Sequence, residues 1–117
     1  MRFIVLFLIF TQAALASIPG SDLEVRHQEL IMKAIDNKCG SMFNLKQIKS
    51  TAKEIRIDQG IIDFEFITVI EGTLKIDQGF FVDYLVTVKS YYSSSYDHEA
   101  QDYGVYSIDD LSCDLKE

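Results

Sequence analysis

Two passages built to one pattern constrain this chain more than any other feature. Ile57-Asp58-Gln59-Gly60-Ile61-Ile62 is echoed by Ile76-Asp77-Gln78-Gly79-Phe80-Phe81, and each copy runs on to a Thr-Val pair, Thr68-Val69 and Thr87-Val88. Asp-Gln-Gly between apolar residues suits a three-residue hairpin loop, a type I turn whose glycine takes the left-handed position. Two copies are too few for a solenoid, and sheet strands of similar build explain the likeness. From Ile62 the even positions run Phe64, Phe66, Thr68, Ile70, Gly72 and Leu74, while Asp63, Glu65, Glu71, Thr73 and Lys75 occupy the odd side. After the second turn the even positions are Val82, Tyr84, Val86, Val88, Ser90 and Tyr92. A loop over Asp77, Gln78 and Gly79 pairs Leu74 with Val82 and Ile70 with Val86. Both strands then put their apolar side on one face. Gly72 reads as a bulge or bend within a long strand.

Upstream, Ser21-Asp22-Leu23-Glu24 fits a capping box ahead of an amphipathic stretch. Leu23, His27, Leu30, Ile31, Ala34 and Ile35 recur at three- and four-residue spacing, which predicts a helix over 22–38 ended by Gly40. Pro19-Gly20 reads as a flexible lead-in. The segment 44–57 carries Leu45, Ile48, Ala52 and Ile55 at helical spacing, yet a hairpin at Asp58 needs a first arm, so a strand over 43–57 is favoured. A polar loop over 93–102 and a short strand over 103–108 complete the chain, with Cys113 beyond it. The expected fold class is α+β, one N-terminal helix packed on a curved four-stranded antiparallel meander.

Residues 1–16 read as a secretory signal peptide. Arg2 precedes the apolar run FIVLFLIF, and Ala14-Leu15-Ala16 forms a small-x-small cleavage signal before Ser17. The run is too short to cross a bilayer, which takes about 20 apolar residues. The domain is then 17–117, secreted, with one modest core. In an oxidising compartment the two cysteines, Cys39 and Cys113, pair by default. Eleven Lys and Arg against eighteen Asp and Glu leave a formal charge of −7, which argues against nucleic acid and anionic membrane surfaces. The expected partner is a protein or small ligand, with no membrane association after signal cleavage. A monomer or weak dimer is expected, since Lys49, Lys53 and Lys89 discourage edge pairing.

A helix followed by a long antiparallel meander resembles the cystatin and nuclear-transport-factor-2-like architectures. The chain is most similar to the short secreted nuclear-transport-factor-2-like proteins, through residues 60–69, 80–90 and the closing Tyr106-Ser107-Ile108-Asp109-Asp110-Leu111-Ser112-Cys113. The cystatin likeness would imply inhibition of papain-like cysteine proteases. The Gln-x-Val-x-Gly hairpin of that class is matched neither by Gln47-Ile48-Lys49-Ser50-Thr51 nor by Gln59-Gly60-Ile61-Ile62-Asp63, and the chain has no Trp.

Catalysis needs a base near neutrality or an activated nucleophile. His27 lies on the apolar stripe of the helix and reads as a satisfied boundary residue. His98 sits in Asp97-His98-Glu99 with Asp102 near, a set that could take Zn²⁺ or Ca²⁺ but matches no defined spacing, so a solvated acidic loop is preferred. There is no phosphate-cradling glycine loop and no Ser elbow. No catalytic residue, metal or cofactor is assigned, and the expected function is non-catalytic binding, with a structural or storage role as a further alternative. The candidate binding residues are Tyr91, Tyr92, Tyr96 and His98, because tyrosine and serine in Tyr91-Tyr92-Ser93-Ser94-Ser95-Tyr96 combine contact area with adaptable hydrogen bonds.

Overall fold

A computed structural model describes residues 18–75 and 79–115; the expected signal segment and most of the Asp77-Gln78-Gly79 turn lie outside them. Helix α1 spans Val25–Lys38, and the strands are β1, Met42–Asp58, β2, Ile61–Lys75, β3, Phe81–Asp97, and β4, Asp102–Leu115. They form one antiparallel sheet in the order β1-β2-β3-β4. The fold is α+β.

Alternation places the elements as the sequence pattern requires. Thr68, Ile70 and Leu74 of β2 are buried with Val86, Val88 and Ser90 of β3 on the inner face. The register pairs Leu74 with Val82 and Ile70 with Val86, as the second turn predicts. Ile31 and Ile35 of α1 close a core with Ile18, Ile70, Val86, Val88 and Leu111. On the outer face Arg56 pairs with Asp63 at 2.6 Å and Lys89 with Glu65 at 3.6 Å.

Several expectations are corrected. The helix begins three residues later than read, with Glu24 at the N-cap and no side-chain cap bond. Ser21 Oγ instead accepts from the Leu23 N–H at 3.1 Å, so the capping box is replaced by a local Ser turn. The lead-in is anchored. The Ser21 N–H bonds the Ile18 carbonyl across Pro19-Gly20, and Gly20 has the positive φ of 73° that a Pro-Gly turn requires. Gln28, buried in α1, accepts from the Ile18 N–H at 2.8 Å and donates to the Leu23 carbonyl at 2.6 Å.

The first turn is a two-residue loop. Asp58 pairs with Ile61, and both Gln59 and Gly60 have positive φ, 49° and 82°, the pattern of a type I′ hairpin. At Gly72 the extra residue lies in the partner strand, where the register shifts between Phe43 and Lys46 and Asn44 takes φ 52°. Gly72 stands at a close approach, where a Cβ would lie 2.5 Å from Cε at the end of the flexible Met42 side chain and 3.2 Å from Leu45 Cδ2. The stretch 93–102 is mostly strand: β3 runs on to Asp97 and β4 starts at Asp102. Cys113 therefore lies within β4, opposite Val86. It is joined to Cys39, at the C-terminal end of α1, with the two Cα atoms 5.9 Å apart.

Candidate functional site

The sheet outruns the helix. Fourteen residues of α1 rise about 21 Å, whereas strands of 14 to 17 residues extend roughly 45–55 Å. The inner face is therefore covered over Ile70, Val86 and Leu111, and its far half carries aromatic side chains in place of a packed helix. Phe64, Tyr92 and Tyr106 form one register row across β2, β3 and β4, and Phe66 and Ser90 belong to the next. Ser90 is small, and that opens room for His27 to descend from the first turns of α1. His27 and Ser90 are hydrogen bonded, Nε2 to Oγ at 2.8 Å, with both side chains buried.

These groups close into a ring of five aromatic side chains. Centroid separations are 4.9 Å for His27–Phe66, 6.3 Å for Phe66–Phe64, 6.4 Å for Phe64–Tyr92, 5.0 Å for Tyr92–Tyr106 and 4.7 Å for Tyr106–His27. All five border a cavity of about 250 Å³, with Leu23 and Ala52 as apolar walls and Asp22 and Glu24 at the start of the helix. A neighbouring hollow of about 400 Å³ shares Asp22, Leu23, Ala52 and Phe66 and adds the polar Gln47 and Ser50. Tyr106 donates its hydroxyl proton to Glu24 Oε2, and burial together with that bond raises the phenol well above its ordinary range. Arg26 braces the site from outside. Its Nη2 reaches Gly104 O at 2.7 Å and Asp97 Oδ2 at 3.1 Å, and its guanidinium lies 5.4 Å from the Tyr106 ring centre.

Burial lowers the His27 pKa to about 4, against a smaller opposing pull from Glu24. The ring is thus neutral at physiological pH. The unfolded chain protonates near pH 6.5 and the folded one only near pH 4, so stability falls as pH drops through that window. The loss attributable to His27 is roughly 3 kcal/mol. His27→Gln, which keeps a hydrogen-bonding group toward Ser90, is expected to flatten the stability curve between pH 6.5 and 4. Parallel denaturation curves for the two proteins over that range would refute a buried neutral imidazole.

The residues singled out in the sequence do not converge. Tyr92 lines the aromatic cavity. Tyr91 points to the other face, where it borders a hollow of about 240 Å³ with Arg56, Asp63, Ser93 and also Tyr92. Tyr96 and His98 meet edge-to-face at 5.0 Å near the far end of the β3–β4 hairpin, with Tyr103 at 5.2 Å from Tyr96. The Asp97 carboxylate is committed to structure there: Oδ1 accepts from the Glu99 and Ala100 N–H groups while Oδ2 takes Arg26. Among the described residues, no three His, Cys, Asp or Glu side chains gather closely enough to hold a metal ion, and no helix is long and apolar enough to cross a membrane. Phe64 and Phe66 were legible only as inward-facing strand residues, and Glu24 only as a capping residue. Their role as cavity lining follows from where α1 starts.

Compared with known protein families, curated proteins and solved structures, the chain matches none.

Proposed function

We propose that this is a small secreted, non-catalytic binding protein whose ligand site is the aromatic cavity between the start of α1 and the uncovered half of the sheet. One observation carries the reading: five aromatic rings, contributed by α1 and three strands, surround a single concave space that no other part of the described chain fills. Small-molecule sites are concave, mostly apolar and marked by a few placed polar groups, and Asp22 and Glu24 supply those here. A non-catalytic role is supported by the state of the histidines, one buried and neutral, the other edge-to-face with Tyr96 at a hairpin end. Secretion is supported by the leader-like residues 1–16 and by the disulfide. The likeness to short secreted nuclear-transport-factor-2-like proteins belongs to the same proposal, since there too a helix lies against a curved antiparallel sheet. Three register shifts that each add a residue to β1 favour such curvature.

Because the chain has no Trp, a Phe64→Trp variant reports on the cavity alone. Titration with 2-phenylethanol is expected to give a saturable change in its emission. A Tyr103→Trp variant, with the reporter on the exposed hairpin, is expected to give none. Equal responses from the two reporters, or none from the first, would overturn the assignment.

A further inference from the structure

We infer that the ligand class of this cavity is a methylated ammonium compound, its cationic head seated against Phe64, Phe66 and Tyr92 beside Asp22 and Glu24 and its remaining chain directed into the adjoining polar hollow. The inference rests on the binding role proposed above and specifies what the site selects. His27 and Tyr106 stack on each other at 4.7 Å, which leaves Phe64, Phe66 and Tyr92, with neighbouring centroids 6.3 and 6.4 Å apart, to meet a cation within the ~6 Å reach of cation–π attraction. Such a cage is selective because ring faces carry negative potential and a methylated ammonium cannot demand hydrogen bonds that the rings lack. The charge around the cage agrees. Asp22 and Glu24 border the cavity, no Lys or Arg lines it, and the fifth ring, His27, is neutral rather than cationic. Arg26, the nearest guanidinium, is held by Asp97 and the Gly104 carbonyl at 5.4 Å from the Tyr106 ring centre, so it engages Tyr106 and not Phe64, Phe66 or Tyr92. The positive end of α1 would favour an anion at this point, but the two carboxylates occupy that position. The net charge of −7 adds a long-range attraction for cations.

The adjoining hollow settles which part of a ligand goes where. Gln47 and Ser50 offer hydrogen bonds on the side away from the rings, so a hydroxyl-bearing arm extends there while the methyl groups stay among Phe64, Phe66 and Tyr92. Lys49 borders that hollow and not the cage, which keeps the cationic head on the carboxylate side.

Calorimetric titration of the oxidised protein with three matched probes tests this. Choline and 3,3-dimethylbutan-1-ol have the same shape and differ in replacing a charged nitrogen by carbon. Choline is expected to bind about tenfold or more tightly than its neutral twin. In the Asp22→Asn, Glu24→Gln double variant the preference is expected to shrink to about threefold, with the neutral alcohol unaffected. Phosphocholine, which sets negative charge beside the same head, is expected to bind more weakly than choline. Equal affinity for choline and the alcohol would overturn the cation assignment while leaving the cavity as a binding site. Phosphocholine binding more tightly than choline would overturn the role given to the two carboxylates. Failure of both choline and the alcohol, together with no response to 2-phenylethanol, would overturn the binding role itself.

Discussion

Cys39→Ser, Cys113→Ser is expected to lower the stability of this domain by about 4 kcal/mol, enough to leave the chain partly unfolded at 37 °C. The bond joins residues 74 positions apart, and in the chain-entropy account a loop of that length restricts the unfolded state by roughly 4–5 kcal/mol. A domain of this size has only about 5–15 kcal/mol of stability in total. The location adds to the effect. Cys39 ends α1 and Cys113 lies in β4, so the bond fixes the C-terminal end of the helix to the strand it packs against. The opposite end of α1 has its own anchors in Arg26 and in Gln28 with Ile18. Loss of the disulfide should therefore loosen the core end first and leave the aromatic cavity as the last part of the helix contact to open. Urea denaturation of the oxidised protein and the double variant measures the difference. A change below about 1 kcal/mol would mean that the denatured chain is already compact.

Ile31→Ala is expected to cost about 3 kcal/mol, whereas Ile57→Ala changes stability by less than about 0.5 kcal/mol. Both remove the same atoms. Ile31 is fully buried at the centre of a core of seven residues, and Ile57 is 64% exposed at the end of the first hairpin. The core is small because α1 covers only part of a long sheet, so each of its members carries an unusual share of the burial. Paired denaturation curves decide the point: similar losses at the two sites would show that the outer half of β1 is covered in solution.

The strand pattern was legible because burial on one face imposes a period of two, and Phe64, Phe66, Ile70, Val86 and Tyr92 obey it without exception. The register across the second turn followed from that parity, as did a single helix bearing His27, Ile31 and Ile35. What escaped the sequence shares one cause, namely that the information lies in a partner. Gln59 in a left-handed conformation carries no residue-type signal, so the first turn read as three residues instead of two. The bulge opposite Gly72 belongs to β1, which could be placed only once β2 was paired. Serines 93–95 read as loop, yet they lie within β3, where Ser93 pairs with Val105 and the register shifts across Ser94 and Ser95 before Tyr96 pairs with Tyr103. Gly104, the residue that allows this shift to close, has φ 111° and stands against the Tyr92 ring, where a Cβ would lie 3.0 Å from Cε1. The candidate site was half visible. Tyr92 was named and the even-numbered phenylalanines were inward, but the cavity needs the knowledge that α1 starts near Phe66 and brings His27 down to Ser90.

The central claim is that the uncovered aromatic half of the inner face is a ligand site. Its most direct test is a ¹⁵N NMR titration of the oxidised protein with choline. Saturable shifts are expected at Leu23, His27, Ala52, Phe66, Tyr92 and Tyr106, with residues 98–101 and the outer-face Tyr91 unmoved. Shifts absent from those six amides, or concentrated at Tyr91, Tyr96 and His98 instead, would contradict the account and return the binding surface to the far face and the β3–β4 hairpin end.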